Sequence, residues 1–303
     1  MLCIKNLHKR FGHIHALDNV SLTVPRGTIC GLVGSNGSGK STLLRVIAGV
    51  MRADEGHVTL DGERIFENPA LKQRILFVSD EPYAPQGATM RRMTAFYRSL
   101  YPTFDDARRA ELQAQFRLDD DTPIRSMSRG KRRLAAVCLA LSAKPQLLLM
   151  DETADGLDPV MRHTVKSVIA SDVAARDSSA ILVSHSLREL ESLCDQLALL
   201  HDSHLILDRD VFDLKRAAYK IQVAFDHPFT KERFSGLSVV QYEQHASVAT
   251  LILEGDRDVI ETTVSAMEPL LFEMLPLTLE EIFLYELRSL DYDYTALLGG
   301  DDA

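Results

Sequence analysis

The stretch Gly34-Ser35-Asn36-Gly37-Ser38-Gly39-Lys40-Ser41-Thr42 follows an apolar run, Ile29 to Val33, and precedes the helical pattern of Leu43, Leu44, Ile47 and Val50. Its spacing is G-x-x-x-x-G-K-[ST], and a strand before it with a helix after it is the context that motif requires. The glycines let the backbone turn tightly with several N–H groups pointing inward. The following helix adds the positive end of its dipole, so the segment forms an anion cradle. On this reading Lys40 lies against the β- and γ-phosphates of a nucleotide, Ser41 ligates Mg²⁺ and Thr42 donates to the α-phosphate.

Working outward, Leu147 to Met150 and Ala180 to Ser184 are further short apolar runs of strand length, and a helical pattern follows the first. Strands alternating with helices predict a mainly parallel sheet and an α/β fold. Asp151 and Glu152 stand at the exit of the Leu147 strand, the side on which parallel sheets collect their ligands. Asp151 is suited to hold Mg²⁺ through water, and Glu152 to take a proton from attacking water. Two pairs predict hairpins at the margins: His57 to Leu60 closed by Asp61-Gly62, and Leu197 to Leu200 closed by Asp202-Ser203.

Between Met90 and Leu118 the chain becomes helical and rich in Arg, Ala, Glu and Gln, with Phe96, Leu100, Leu112 and Phe116 at helix-like intervals. This predicts an inserted helical subdomain over about 84–135 within a nucleotide-binding domain of 1–210. Beyond it, Ile221 to Phe225 and Val248 to Leu253 predict strands and Arg257 to Leu270 a helix. A small α+β domain is expected over 211–288, then an acidic tail over 289–303.

Composition limits the function classes. The chain has 303 residues, 46% hydrophobic and 25% charged, which suits one large folded domain and a small one. A formal net charge of -9 argues against non-specific attachment to nucleic acid, although Arg129 to Arg133 make a local basic patch. The four cysteines, Cys3, Cys30, Cys138 and Cys194, lie far apart without metal-ligand spacing, which fits a reducing compartment. The start has no continuous apolar segment of the secretory kind. The longest apolar stretch, Leu134 to Leu141, is far shorter than the roughly 20 residues that span a bilayer.

Five segments in order then carry a family resemblance: the Gly34 loop, Met127-Ser128-Arg129-Gly130-Lys131, the Asp151-Glu152 strand, Gly156-Leu157-Asp158, and Ser184-His185. Over about residues 2–210 the chain resembles the ATP-binding-cassette (ABC) family. The resemblance implies a phosphate-loop ATPase whose catalysis rests on Lys40, Glu152 and His185, the last orienting water at the γ-phosphate. It implies that Phe11 stacks on adenine. It further implies that Ser128 and Gly130 reach the γ-phosphate held by a second cassette in a head-to-tail dimer, with Asp158 acting across the same interface. Each chain then supplies half of each of two Mg-ATP sites, and reopening after hydrolysis drives a separate integral membrane permease, on whose cytoplasmic side the cassettes sit.

The chain departs from the family pattern at several positions. Arg129 stands where the family has Gly, and Lys131 where it has Gln. Asp80 occupies the place of the usual glutamine, and as a carboxylate it is a candidate for the Mg²⁺ shell beside Ser41 and Asp151. Thr153 replaces the proline that commonly follows the catalytic glutamate. The Asp80-Glu81-Pro82-Tyr83 wording and the ending Leu277 to Leu284 look like the bacterial branch with separate permeases, often exporters. Asp80 to Pro102 is the expected permease contact. The competing classes are a soluble cassette ATPase acting on ribosomes or DNA, and a regulatory module that binds ATP without turnover. The single cassette without long coiled-coil inserts counts against the first, and Glu152 with His185 against the second.

Overall fold

A computed structural model describes residues 1–152, 156–184 and 186–289, so Thr153, His185 and nearly all of the acidic tail lie outside the described residues. By its contacts the chain divides into Met1–Asp208 and Arg209–Ala303.

The first unit opens with β1 (Leu2–Phe11) and β2 (Ile14–Val24), followed by β3 (Ile29–Val33), α1 (Lys40–Ile47), β4 (Glu55–Leu60), β5 (Glu63–Arg64), α2 (Pro69–Lys72) and β6 (Ile75–Val78). Next come α3 (Met90–Leu100), α4 (Asp106–Gln115), α5 (Arg129–Ser142), β7 (Leu147–Asp151), α6 (Pro159–Arg176), β8 (Ser179–Val183), α7 (Leu187–Glu191), β9 (Gln196–His201) and β10 (His204–Asp210).

Two sheets result. Strands β2-β1-β4-β5 form one, antiparallel in register Leu2↔Val24 and Leu2↔Leu60. The other has the order β10-β9-β3-β8-β7-β6, and its neighbours from β9 to β6 run parallel. Every residue of β3, β7, β8 and β9 is buried, as expected of strands covered on both faces. Leu32, Leu149, Ile181 and Ala198 of this sheet share one core with Leu43 and Leu44 of α1 and with Leu17 and Val20 of β2. Both marginal hairpins form, and Asp61-Gly62 and Asp202-Ser203 all take positive φ, the geometry of a tight two-residue turn.

Three local expectations change. Val50 lies outside the first helix, since α1 stops at Ile47 and Gly49 at φ 67° turns the chain away. The Met90 to Leu118 stretch is two helices, broken near Pro102 and restarted by Asp105, whose carboxylate accepts from the Arg108 amide at 2.9 Å. Within it Leu112 and Phe116 are buried, whereas Phe96 and Leu100 face solvent.

The second unit contains α8 (Val211–Ala217), β11 (Ala218–Ala224), β12 (Ser238–His245), β13 (Val248–Glu254), α9 (Arg257–Ser265), β14 (Leu271–Leu275) and α10 (Leu279–Ser289). Its antiparallel sheet has the order β12-β13-β11-β14. Phe225, Phe229 and Phe234 pack with Ile221, Leu251, Ile260 and Val264 into a core of its own. Here the expected helix from Arg257 to Leu270 ends early, at Ser265. Glu268 turns to φ 56° ahead of Pro269, which donates no amide, and Leu270 then donates to the Ala224 carbonyl at 2.8 Å as β14 begins.

Candidate nucleotide site

Register places the sequence-predicted residues at one edge. Leu32 of β3 is level with Val183 of β8, Val183 with Asp151 of β7, and Met150 of β7 with Val78 of β6. The Gly34 loop, Ser184, Asp151-Glu152 and Asp80 therefore all leave the parallel sheet at its carboxyl edge, where such sheets bind ligands.

The loop is shaped by backbone contacts. Gly34 has φ 154°, and a Cβ there would lie 1.9 Å from the Leu200 carbonyl oxygen. Gly39 has φ 105°, and its Cβ would lie 2.1 Å from the Ala16 oxygen of β2. Only glycine permits both the angle and the approach. Between them Asn36 and Gly37 are exposed and Ser38 is buried. Ser35 shares a 3.1 Å hydrogen bond with Nδ1 of His201, a buried residue at the end of β9. Ser41 and Thr42 follow in the first turn of α1, where amide N–H groups lack partners within the helix.

Lys40 is only 6% exposed, and its Nζ donates to the Gly34 and Ser35 carbonyls, each at 2.8 Å. Burial lowers its pKa, and Glu152 and Asp151 oppose that shift by their charge. Lysine and both carboxylates are thus within electrostatic reach of one another. Asp151 is 3% exposed and its Oδ1 has no hydrogen-bond partner, as has Oγ of Ser38. A buried carboxylate oxygen left open is a fit for a hard cation. Among the described residues no three His, Cys, Asp or Glu side chains cluster as a ready-made cage. Glu152 takes φ 49°, uncommon for a residue with a side chain, while its amide donates to the Val183 carbonyl at 3.1 Å and prolongs the β7–β8 ladder.

The remaining predicted residues are placed less directly. Phe11 ends β1 with 47% exposure and Lys9 Nζ 5.5 Å from its ring centroid, so the ring is not core. Its hairpin partner β2 abuts the loop at Ala16 and Gly39. Ser128 caps α5, its hydroxyl accepting from the Lys131 amide at 3.3 Å. A Cβ on Gly130 would lie 3.4 Å from Leu157, so α5 begins against the Gly156-Leu157 turn. Asp158 caps α6, accepting from the Met161 amide at 3.0 Å. Asp80 lines a cavity of about 440 Å³ with Glu81, Tyr83, Arg125, Arg129 and Arg132, and its carbonyl accepts from Arg133 Nε at 3.3 Å. His185 falls outside the described residues. His201 was not singled out from sequence, because it carries no motif and only folding brings it to Ser35.

A glycine loop that closes on a buried lysine, with two carboxylates at the exit of a parallel strand one place removed in the same sheet, defines the class of phosphate-loop nucleotide-binding α/β proteins. Residues 17–155 match the family described as ABC transporter. The ABC transporter ATP-binding protein YtrB of Bacillus subtilis is 31% identical over 284 residues, 94% of this chain and 97% of its own length. The lipopolysaccharide export system ATP-binding protein LptB of Escherichia coli K12 is 31% identical over 68% of this chain and 88% of its own. In fold, the chain is similar to a dimeric ATP-binding cassette, MJ0796, bound to ADP and Pi, with a TM-score of 0.63, 20% identity, and coverage of 70% and 99%. The chain belongs to the ABC transporter family, as one of its ATP-binding, ATP-hydrolysing subunits. No helix among the described residues is long and apolar enough to cross a membrane.

Proposed function

We propose that the chain is half of a two-site engine: two cassettes close head to tail on two ATP molecules, and their reopening drives a separate permease, in the direction of export. The convergence of Lys40, Asp151 and Glu152 at the strand exits is the observation that carries it. The Gly34 to Thr42 amides cradle the phosphates and Lys40 neutralises the β- and γ-oxygens. Ser41 and Asp151, with Asp80, hold Mg²⁺, which when bound screens the phosphate charge. Glu152 draws the proton from water aligned with the γ-phosphorus, and His185 orients that water. Phe11 offers its exposed ring to adenine.

Ser128 and Gly130 begin α5 with its dipole's positive end, and from there they serve the γ-phosphate of the opposing cassette. The two-fold arrangement is supported by the likeness to a dimeric cassette. Asp158 acts across that interface. Export is supported by the Asp80 to Tyr83 and Leu277 to Leu284 wording and by the likeness to LptB.

The arginine-lined cavity at Asp80 adjoins one of about 230 Å³ whose lining includes Phe77, Tyr83, Met93 and Tyr97 beside Ser79 and Arg132. Phe96 and Leu100 are exposed on α3 nearby in sequence. This combination supports permease contact over Asp80 to Pro102, with an apolar anchor and an acidic group on the permease side.

Glu152→Gln tests the core of the proposal. It should trap an ATP-bound dimer by size-exclusion chromatography with hydrolysis nearly abolished, and a wild-type rate would remove Glu152 as the base. Purification from membranes should recover an integral membrane partner, and exclusive recovery with ribosomes or DNA would sink the transporter role.

A further inference from the structure

We infer that Arg162 and Glu189 form a side-chain relay tying the turn before α6 to the turn after β8, which makes Glu189 a positioning residue for hydrolysis. The inference rests on the cassette mechanism proposed above. The two turns leave adjacent strands, β7 and β8, level at Asp151 and Val183. Gly156-Leu157-Asp158 faces the start of α5 through Leu157, and Ser184 with Ser186 flank His185.

The relay has four links. Arg162, in the first turns of α6, donates through one terminal nitrogen to the Leu157 carbonyl at 3.2 Å and through the other to Oε1 of Glu189 in a short contact. Oε2 of Glu189 accepts from the Ser184 hydroxyl at 3.3 Å. That hydroxyl in turn accepts from the Ser186 amide at 3.1 Å. Ser186 is the N-cap residue of α7 but makes no cap hydrogen bond with its own side chain, so the Ser184 hydroxyl orders this turn instead.

Burial makes the connection stiff. Glu189 is 12% exposed, and each of its two carboxylate oxygens has a different donor. Lys166, one turn along α6 from Arg162, adds a second positive charge toward it. An ion pair that merely stapled α6 to α7 needs neither the Leu157 carbonyl nor the Ser184 hydroxyl. Both backbone turns are engaged, so displacement of one is resisted through charged hydrogen bonds to the other. The Gly156 turn packs against the α5 start that the proposed dimer presents to the opposing nucleotide. Dimer closure is thereby felt at the serines on either side of His185.

The test uses the full chain and reads MgATP hydrolysis, MgADP affinity by titration, and thermal melting. Glu189→Ala and Arg162→Ala should each lower kcat about tenfold or more, with MgADP affinity within about twofold of wild type, because small misplacement of a water-orienting group is costly in rate. Glu189→Gln, which keeps the shape but can accept from only one of the two donors well, should fall between. The Arg162→Ala/Glu189→Ala double variant should be no slower than the worse single, as for two residues in one pathway. Wild-type kcat in Glu189→Ala, multiplicative losses in the double, or parallel loss of kcat and MgADP affinity would each overturn the relay. Should Glu189→Ala melt below assay temperature, the isosteric Glu189→Gln decides by the same criteria. A silent Glu152→Gln beside a fully active Glu189→Ala discards the relay and keeps the cassette mechanism, while an active Glu152→Gln discards the mechanism itself.

Discussion

Glu152 holds a left-handed backbone at φ 49° directly after a buried strand, and this aims its side chain differently from the alternation of β7. Residues held in such sparsely populated regions cost on the order of 1–3 kcal/mol and persist where the surroundings over-determine them, here through the amide bond to Val183. The glycines of the loop show the same logic with less tolerance. Gly39→Ala would bring a methyl group to 2.1 Å of a backbone oxygen at φ 105°. We expect a loss of on the order of 3 kcal/mol in stability and of most of the ATP-induced rise in melting temperature, both read by differential scanning fluorimetry with and without MgATP. The loop was legible because its chemistry is local in sequence. His201 was not, because its partner Ser35 is reached only across a strand neighbour.

At the scale of elements, capping and charge decide where things begin. Asp158 starts α6 by accepting the Met161 amide, and the same residue is proposed to act in the partner's site. Asparagine caps as well as aspartate, whereas alanine does not. Asp158→Ala should therefore lose about 1 kcal/mol by urea midpoint and Asp158→Asn almost none, so an ATPase defect shared by both reports the charge rather than the cap.

Asp61, in the turn between β4 and β5, joins the antiparallel sheet to Arg74 just before β6. Burial works to raise its pKa, but hydrogen bonds from the Met1 amino group and Arg26 prevail and hold it at about 2. A carboxylate with a depressed folded-state pKa contributes stability above its unfolded pKa of about 4, lost as pH falls through the folded value near 2. With solvent screening at the rim, the contribution is about 1 kcal/mol. Asp61→Asn should be less stable than wild type by that amount at pH 7, with the difference closing between about pH 4 and pH 2 in denaturant titrations.

The helix expected through Leu270 illustrates a boundary that periodicity alone misses. Apolar spacing continues past Ser265, but Pro269 withholds an amide and the edge of β11 captures the Leu270 amide, so the segment becomes β14.

For the whole molecule, the two units have separate cores. Phe234 is fully buried among Phe225, Phe229 and Tyr242 in the second. Phe234→Ala should remove about 4 kcal/mol. Hydrogen exchange should then show lost protection in β11 and β13 while β3 and β7 stay protected, since cooperative units open separately. Global loss of protection would mean that the units fold as one.

What the sequence by itself determined was whatever depends on neighbours in the chain: the phosphate loop, the buried parallel strands, the acidic strand exit, and with them the ABC assignment. Apolar runs, glycine spacing and motif order are local patterns, and each survives without knowledge of what lies across the sheet. Tertiary structure alone decided strand order, the packing of Gly39 against Ala16, the approach of Lys40 to Asp151 and Glu152, and the Arg162–Glu189 link. These join residues far apart in the chain, where one charged side chain among many has no local signature. A lysine, a carboxylate or a hydroxyl acquires its role only when burial removes water as its partner and leaves a specific atom in its place.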